Sequence, residues 1–466
     1  MSPTPRDDAA PAAGDAAAPR ARPPAGTARP AARPKLGGTF LSGAKSRLLP
    51  ASVPFRFFGA AIAFHVLAWA ALLGGAAGWP DWRHGPGWPL AALHLATLGT
   101  LLCSAIGASL QLLPVATRQP VRSHRLAGAL WWVYVPGVAL LALGMGLVEP
   151  RWMAAGAAVV IAALAAWAVL LGLNLAGARG MPGIVLHGWG ALAALFAVGV
   201  SAAALVSTWV GLPWIDHEAA RGLHLAATAF GTMGLLAFGL AYILVPMFAL
   251  AGVPDERQQL ASGAAAIAAV ACAGFAAFVP EDSIAPMALR LAALAAGAGA
   301  LALHLRLMLR ALASGMRKDL GRAQRLMQIG WGGLALALAI ALAIVLGAPA
   351  DRFGRLFGVA VIGAWLLSFL FGILQRILPF LASMHAAQGQ KRPPTPSALT
   401  LERPLAWHFH AHLGALALLA VAALADSAWL AAAAGAVGLA GALAFGWFFV
   451  VLMQRLRQSQ KGAART

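Results

Sequence analysis

Between Phe55 and Leu452 the chain passes repeatedly through apolar runs of about 20 residues, each long enough to cross the ~30 Å hydrocarbon core of a bilayer. No other feature restricts the fold so strongly. A segment in lipid must satisfy its own backbone hydrogen bonds, so only helices or a closed barrel can span. The runs lack the apolar–polar alternation of barrel strands, which leaves helices. Composition agrees, with 61% of the 466 residues hydrophobic and 11% charged, where a soluble domain carries about a quarter. An ordinary soluble enzyme is excluded, and an all-α polytopic membrane protein is predicted.

Twelve spans are predicted, at 56–78, 88–114, 124–147, 152–178, 182–208, 222–250, 258–279, 285–314, 323–348, 354–384, 404–425 and 428–454. The formal net charge of +19 resembles a nucleic-acid footprint, but the basic residues fall between hydrophobic runs, so no nucleic-acid partner is expected. Arg118, Arg122 and Arg125, then Arg306 to Arg325, then Lys391 and Arg392, lie on one side of the predicted topology. Asp81, Glu149, Asp216, Glu218, Glu281, Asp282, Asp351 and Asp426 lie on the other. By the positive-inside rule both termini are cytoplasmic. Trp79, Trp82, Trp88, Trp152, Trp209 and Trp214 are placed at bilayer interfaces, where amphipathic rings collect. Residues 1–50, rich in Ala, Pro and Arg, form a predicted disordered cytoplasmic tail, 51–455 the membrane domain, and 456–466 a second cytoplasmic tail. Arginine far outnumbers lysine and alanine is abundant, the composition of a GC-rich bacterial genome, which points to a bacterial inner membrane. Cys103 and Cys272 fall inside apolar runs without metal-ligand spacing and are expected to be small buried residues.

One pattern recurs at long range. The second span contains Gly99, Thr100, Gly107 and Pro114; the sixth contains Gly231, Thr232, Gly239 and Pro246. Both read G-T-x6-G-x6-P, and the tenth repeats the second half with Gly372 and Pro379. Gly107 and Gly239 are 132 residues apart, and Gly239 and Gly372 are 133 apart. Each falls on the second helix of a four-helix block, so three parallel repeats are predicted at about 51–180, 181–318 and 319–455. Glycine there permits close helix approach, and the late proline is expected to end or kink each span.

All fifteen acidic residues fall in tails, loops or span ends, which argues against ion-coupled transport and a carboxylate proton relay. Histidine is the remaining intramembrane chemistry. Buried imidazoles without carboxylates point to metal ligation, above all of haem iron or copper. His94 and His224, near the starts of the second and sixth spans, are the leading candidates, against bonds to a carbonyl or interfacial water. His408 and His412 share one helix face at i, i+4, with His410 opposite; an interfacial position is the favoured reading and ligation the second. His65 and His187 read as hydrogen-bonded packing residues before ligands, and His304 as interfacial. Arg376 is expected to snorkel, with a haem propionate as its other partner.

Twelve helices in three four-helix blocks resemble the heme-copper oxidase subunit I superfamily. Residues 94–115, 224–248 and 372–385, with the first span from Phe55 to Trp69, are similar to divergent members, including the NnrS-like family tied to nitric oxide stress and cbb3-type subunit I-like proteins. The resemblance implies haem b, copper or both, with His94 at the low-spin haem position of the second helix and His224 at the copper position of the sixth. It implies a redox or nitric-oxide-related role, with a quinol or an electron-donor subunit as partner beside the lipid bilayer. Departures from the family pattern speak against an oxygen reductase. The tenth span has no histidine before its cytoplasmic end, the seventh has none, and Tyr242 stands 18 residues, about 27 Å of helix, from His224. A cofactor-free scaffold or permeation protein with the same fold is the rival expectation.

Overall fold

The computed structural model describes residues 49–82, 85–387 and 393–463, with no side-chain description of 462 and 463. The tail predicted for 1–50 lies almost entirely outside the described residues, as do Lys391 and Arg392. Among the described residues the chain is all-helical, without strands. Twelve helices are long and apolar enough to cross a membrane. They are α1 (Ser52–Gly74), α2 (Trp88–Ala116), α3 (His124–Leu147), α4 (Pro150–Ala176), α5 (Pro182–Trp209), α6 (His217–Ala249), α7 (Glu256–Ala276), α8 (Ala285–Ser314), α9 (Arg322–Val345), α10 (Ala350–Ala386), α11 (Glu402–Ala425) and α12 (Ala428–Ala463). The predicted spans for α3 and α8 coincide with the helices. The expected C-terminal tail is instead largely helical, because α12 runs on to Ala463.

Local chemistry sets these ends. The Ser123 hydroxyl accepts from the Leu126 amide, and Asp216 and Asp255 do the same for Ala219 and Gln258, so each satisfies a donor that the first turn leaves over. Pro150, Pro182 and Pro286 occupy first-turn positions, where a missing N–H costs nothing. At the other end, Val148, Leu250 and Asp426 close α3, α6 and α11 in the left-handed region. Val148 is the most strained of these, since its branched Cβ crowds the carbonyl at φ 58°.

Three helices are more deeply enclosed than the rest. Of the most apolar stretch of α6, 89% is buried, of α2 67% and of α10 61%, against 28–50% for the other nine. Each inner helix lies against the one before it through small residues. A Cβ on Gly99 would stand 2.6 Å from Phe64 of α1, and one on Gly239 would stand 2.9 Å from the Cβ of His187 of α5. Gly107 meets Phe57, Gly231 meets Ala194 and Gly372 meets Met327 in the same way. The pairs α3–α4, α7–α8 and α11–α12 pack as hairpins beside these, and α12 also packs on α1.

The inner helices share a feature that sequence analysis did not anticipate. Each widens into a π-helical stretch, at Leu95–Leu102, Ala226–Gly234 and Val359–Leu367. A π turn leaves carbonyls off the regular ladder, and side chains reach for them. Thr100 Oγ1 donates to Leu95 O at 3.2 Å, Ser368 Oγ to Gly363 O at 3.1 Å, and Tyr134 of α3 to Leu98 O at 2.8 Å. Pro114 and Pro246 stand close to their helix ends, as expected. Pro379 does not end its helix, which continues to Ala386.

Candidate functional site

The buried polar chemistry of this bundle is carried by imidazoles in three places. His94 and His224 sit at the same end of the bundle, each just before the π stretch of its helix. Both are half-buried and near enough to interact electrostatically. His94 Nδ1 lies 3.0 Å from Leu90 O. A carbonyl only accepts, so Nδ1 carries the proton and Nε2 the lone pair. His224 Nδ1 lies 3.2 Å from Ser201 Oγ, whose own proton goes to Ala197 O at 2.7 Å. Ser201 Oγ is thus shared between the Ala197 carbonyl and the His224 ring. A metal-ligating histidine commonly donates its other ring N–H to a carbonyl, as His94 does to Leu90 O.

The second place lies between α5, α6, α8 and α9. His187, wholly buried, bonds through Nδ1 to Gly183 O at 2.7 Å and has no partner at Nε2. His304 is wholly buried, which corrects its expected interfacial position: α8 points it inward, where Phe238 stacks on it at 3.9 Å between ring centres. Neither of its nitrogens has a hydrogen-bond partner. Phe238 also lines an apolar cavity of about 260 Å³ formed by α6 to α10, with Arg290 among its lining residues.

The third place joins α1, α10, α11 and α12. His408 and His412 are 0% and 2% exposed, so the favoured interfacial reading of this pair does not hold. The first turns of α11 are enclosed by α10 and α12, whose Phe371 and Phe445 lie 4.5 and 4.8 Å from the His408 ring. His410 faces outward as predicted. His65 joins this group from α1, its ring centre 6.2 Å from that of His408. It was expected to be hydrogen-bonded, yet its Nδ1 has no partner.

Other expected positions also move. Arg376 is half-buried and donates to Leu320 O in the α8–α9 loop, so it fastens a loop rather than snorkelling. Trp79 is buried and donates to Ala422 O at 3.2 Å, unlike the half- or more exposed Trp88, Trp152 and Trp214. Cys103 is buried against Phe57 O, whereas Cys272 is half-exposed. A residue the sequence did not single out is Arg355 of α10, 6% exposed, which pairs with Asp426 and donates to Trp79 O at 3.0 Å and Pro80 O at 3.3 Å. It stands in the polar first turns of α10, beside Asp351 and Arg352, where the sequence gives no sign that it is buried.

Among the described residues no three His, Cys, Asp or Glu side chains already stand together as a metal site. The 260 Å³ cavity falls below the ~300–1,000 Å³ of ordinary small-molecule sites, and no candidate histidine lines it. No model of a known protein family matches this chain, and no curated protein matches it.

Proposed function

We propose that this chain is a multi-pass membrane protein of the heme-copper oxidase subunit I-like type, built from three parallel repeats, whose buried imidazoles hold a redox metal. His94 and His224 are its first ligands, and its role is redox or nitric-oxide-related rather than dioxygen reduction. The inner membrane of a bacterium, with both termini cytoplasmic, is the setting. One observation carries the reading: both imidazoles bond through Nδ1, to Leu90 O and Ser201 Oγ, just ahead of the π stretches of their helices. Copper suits this donor set, because neutral imidazole is a good ligand for it and two side chains suffice to begin a site. Haem b, alone or with copper, is the other cofactor the resemblance offers these two residues. The recurrence of a π stretch just ahead of Gly107, Gly239 and Gly372 supports the threefold repeat.

A cofactor-free scaffold or permeation protein is the second reading, favoured by the lack, among the described residues, of three ready ligands in one place. Metal analysis and a dithionite-reduced minus oxidised optical spectrum of the detergent-purified chain discriminate the two. Stoichiometric copper or iron that falls in both His94→Ala and His224→Ala is the expected result. A featureless spectrum without stoichiometric metal, from cells supplied with haem and copper, would sink the redox reading and leave the scaffold.

A further inference from the structure

The cavity beside Phe238 has a length and a mouth that the histidine groups do not use. Its α8 wall runs from Arg290 to Ala300 and its α9 wall from Val345 to Leu334, about 15 and 17 Å along the helices. Arg290 and Val345 lie toward the ends of their helices, and Ala300 and Leu334 at the middles. The cavity therefore runs parallel to the helices over about half of the ~30 Å hydrocarbon core, the depth of one leaflet. About 260 Å³ spread over that length makes a narrow slot, the form of one extended hydrocarbon chain. Small residues provide the room, with Ala266 and Ala269 on α7 facing Gly297 on α8. On α6, Phe230 backs the slot, braced by Phe357 and Trp365 at 6.2 and 5.4 Å between ring centres. Ala269, Gly297 and Leu338 are only half-buried, and in a membrane their remaining surface meets lipid.

The mouth is polar. Arg290 donates through both terminal nitrogens to the Glu281 carboxylate, from Nη1 at 3.2 Å. A guanidinium carries five N–H donors and a carboxylate about four acceptor positions, so the pair keeps capacity of both signs. We propose that the slot holds one acyl chain of a resident membrane phospholipid, whose phosphoethanolamine headgroup sits on Arg290 and Glu281. The phosphate accepts from Arg290 and the ammonium donates to Glu281, both as charge-assisted bonds. A purely anionic headgroup meets Glu281 as a like charge, and a choline headgroup has no N–H to donate. Moving a chain from lipid into an apolar slot gains no hydrophobic energy, so packing along the slot and these two bonds are what retain it. The inference goes beyond the proposed function, because it uses no histidine and stands whether or not a metal is bound.

The test places the full-length chain in phosphatidylcholine vesicles with a small fraction of phosphatidylethanolamine that carries a photoreactive diazirine near the end of one acyl chain. After irradiation, peptide mass spectrometry maps the adducts. They are expected at the deep end of the slot, around Ala266, Ala300 and Leu334, well above the level at lipid-facing Phe196 of α5, which is 76% exposed. Arg290→Met removes a charged hydrogen bond and should lower labelling in the slot about 10-fold. Gly297→Leu should abolish it and leave Phe196 unaffected: a Cβ at 297 meets nothing nearer than 3.6 Å, and the rest of the side chain fills the slot. If that variant fails to fold, Arg290→Met decides. Glu281→Gln should erase the preference for this probe over a phosphatidylglycerol probe with the same chain. Labelling in the slot no denser than at Phe196, or unchanged in Arg290→Met and Gly297→Leu, would overturn the proposal. So would exclusion of the probe from α7 and α8 in a chain that migrates as a dimer, which would give the slot to a second copy.

Discussion

Two buried histidine groups occupy this bundle, and they differ in what the neighbouring phenylalanine does. Phe238 and Phe371 stand at the same place in the pattern, immediately before Gly239 and Gly372. Phe238 covers one face of His304 almost flat, at 11°, and on its other flank is an apolar cavity. Phe371 is tilted or edge-on against three imidazoles. A lone ring stacked face to face is packing, whatever its nitrogens lack. Phe371 instead packs tilted and edge-on among His65, His408 and His412, four of whose nitrogens have no hydrogen-bond partner. The two groups differ in the number of imidazoles as well as in ring geometry.

The strongest way to break this comparison is to remove the two phenylalanines. Phe238→Ala and Phe371→Ala should each cost about 3–5 kcal/mol of stability, with Phe238→Ala at the upper end because its void merges with the existing cavity. Chemical unfolding of both variants measures this, and equal losses in the two would mean that the cavity adds nothing to the cost of removing Phe238.

Substitution of the imidazoles sharpens it. His304→Leu replaces two unmatched nitrogens by apolar atoms of similar volume, so stability should be unchanged or rise by about 1 kcal/mol. A loss greater than about 2 kcal/mol in thermal unfolding would show that His304 has a hydrogen-bonding role that the stacking argument denies. Ser368→Ala removes the hydroxyl that lies 2.9 Å from His412 Nε2 and should cost about 1 kcal/mol in thermal unfolding. No loss would mean that the hydroxyl contributes nothing to holding the ring.

The helices were legible in the sequence because each carries its own evidence: a run of sufficient length, with Ser123 or Asp216 as a cap and Pro182 or Pro286 in a first turn. The glycines were legible for a similar reason, since Gly99 and Gly239 are needed wherever two helices touch. Depth was not. His408 stands six residues from the start of α11, which in a single helix reads as the interface, but Phe371 and Phe445 reach it from other helices and enclose it. His65 is separated from His408 by most of the chain, so nothing local could join them. The π stretches were also hidden, because their residues have no composition that departs from the flanking helix. His94 and His224 were found because their place ahead of a recurring motif is a sequence property; their ring partners, Leu90 and Ser201, emerged only in three dimensions.

The smallest predicted effects lie at the edges of the same two regions, where each has an ion pair at a helix end. Arg355 beside the third group is 4% exposed in its side chain, is held by Asp426 and two carbonyls, and lies over the Trp79 ring at 6.0 Å. Arg290, a lining residue of the cavity in the second, pairs with Glu281 in the open, the two side chains 40% and 68% exposed. Solvent screens the second pair and cannot reach the first arginine. Arg355→Met should therefore cost about 1.5–3 kcal/mol, because it strips charged hydrogen bonds from the α1–α2 loop and leaves the Trp79 and Pro80 carbonyls without that donor. Arg290→Met should stay within about 1 kcal/mol of wild type and fade further in high salt. Chemical unfolding at two ionic strengths tests both. If Arg290→Met proved as costly as Arg355→Met, the mouth of the cavity would be a structural element in its own right, and the second group could no longer be treated as the passive member of the pair.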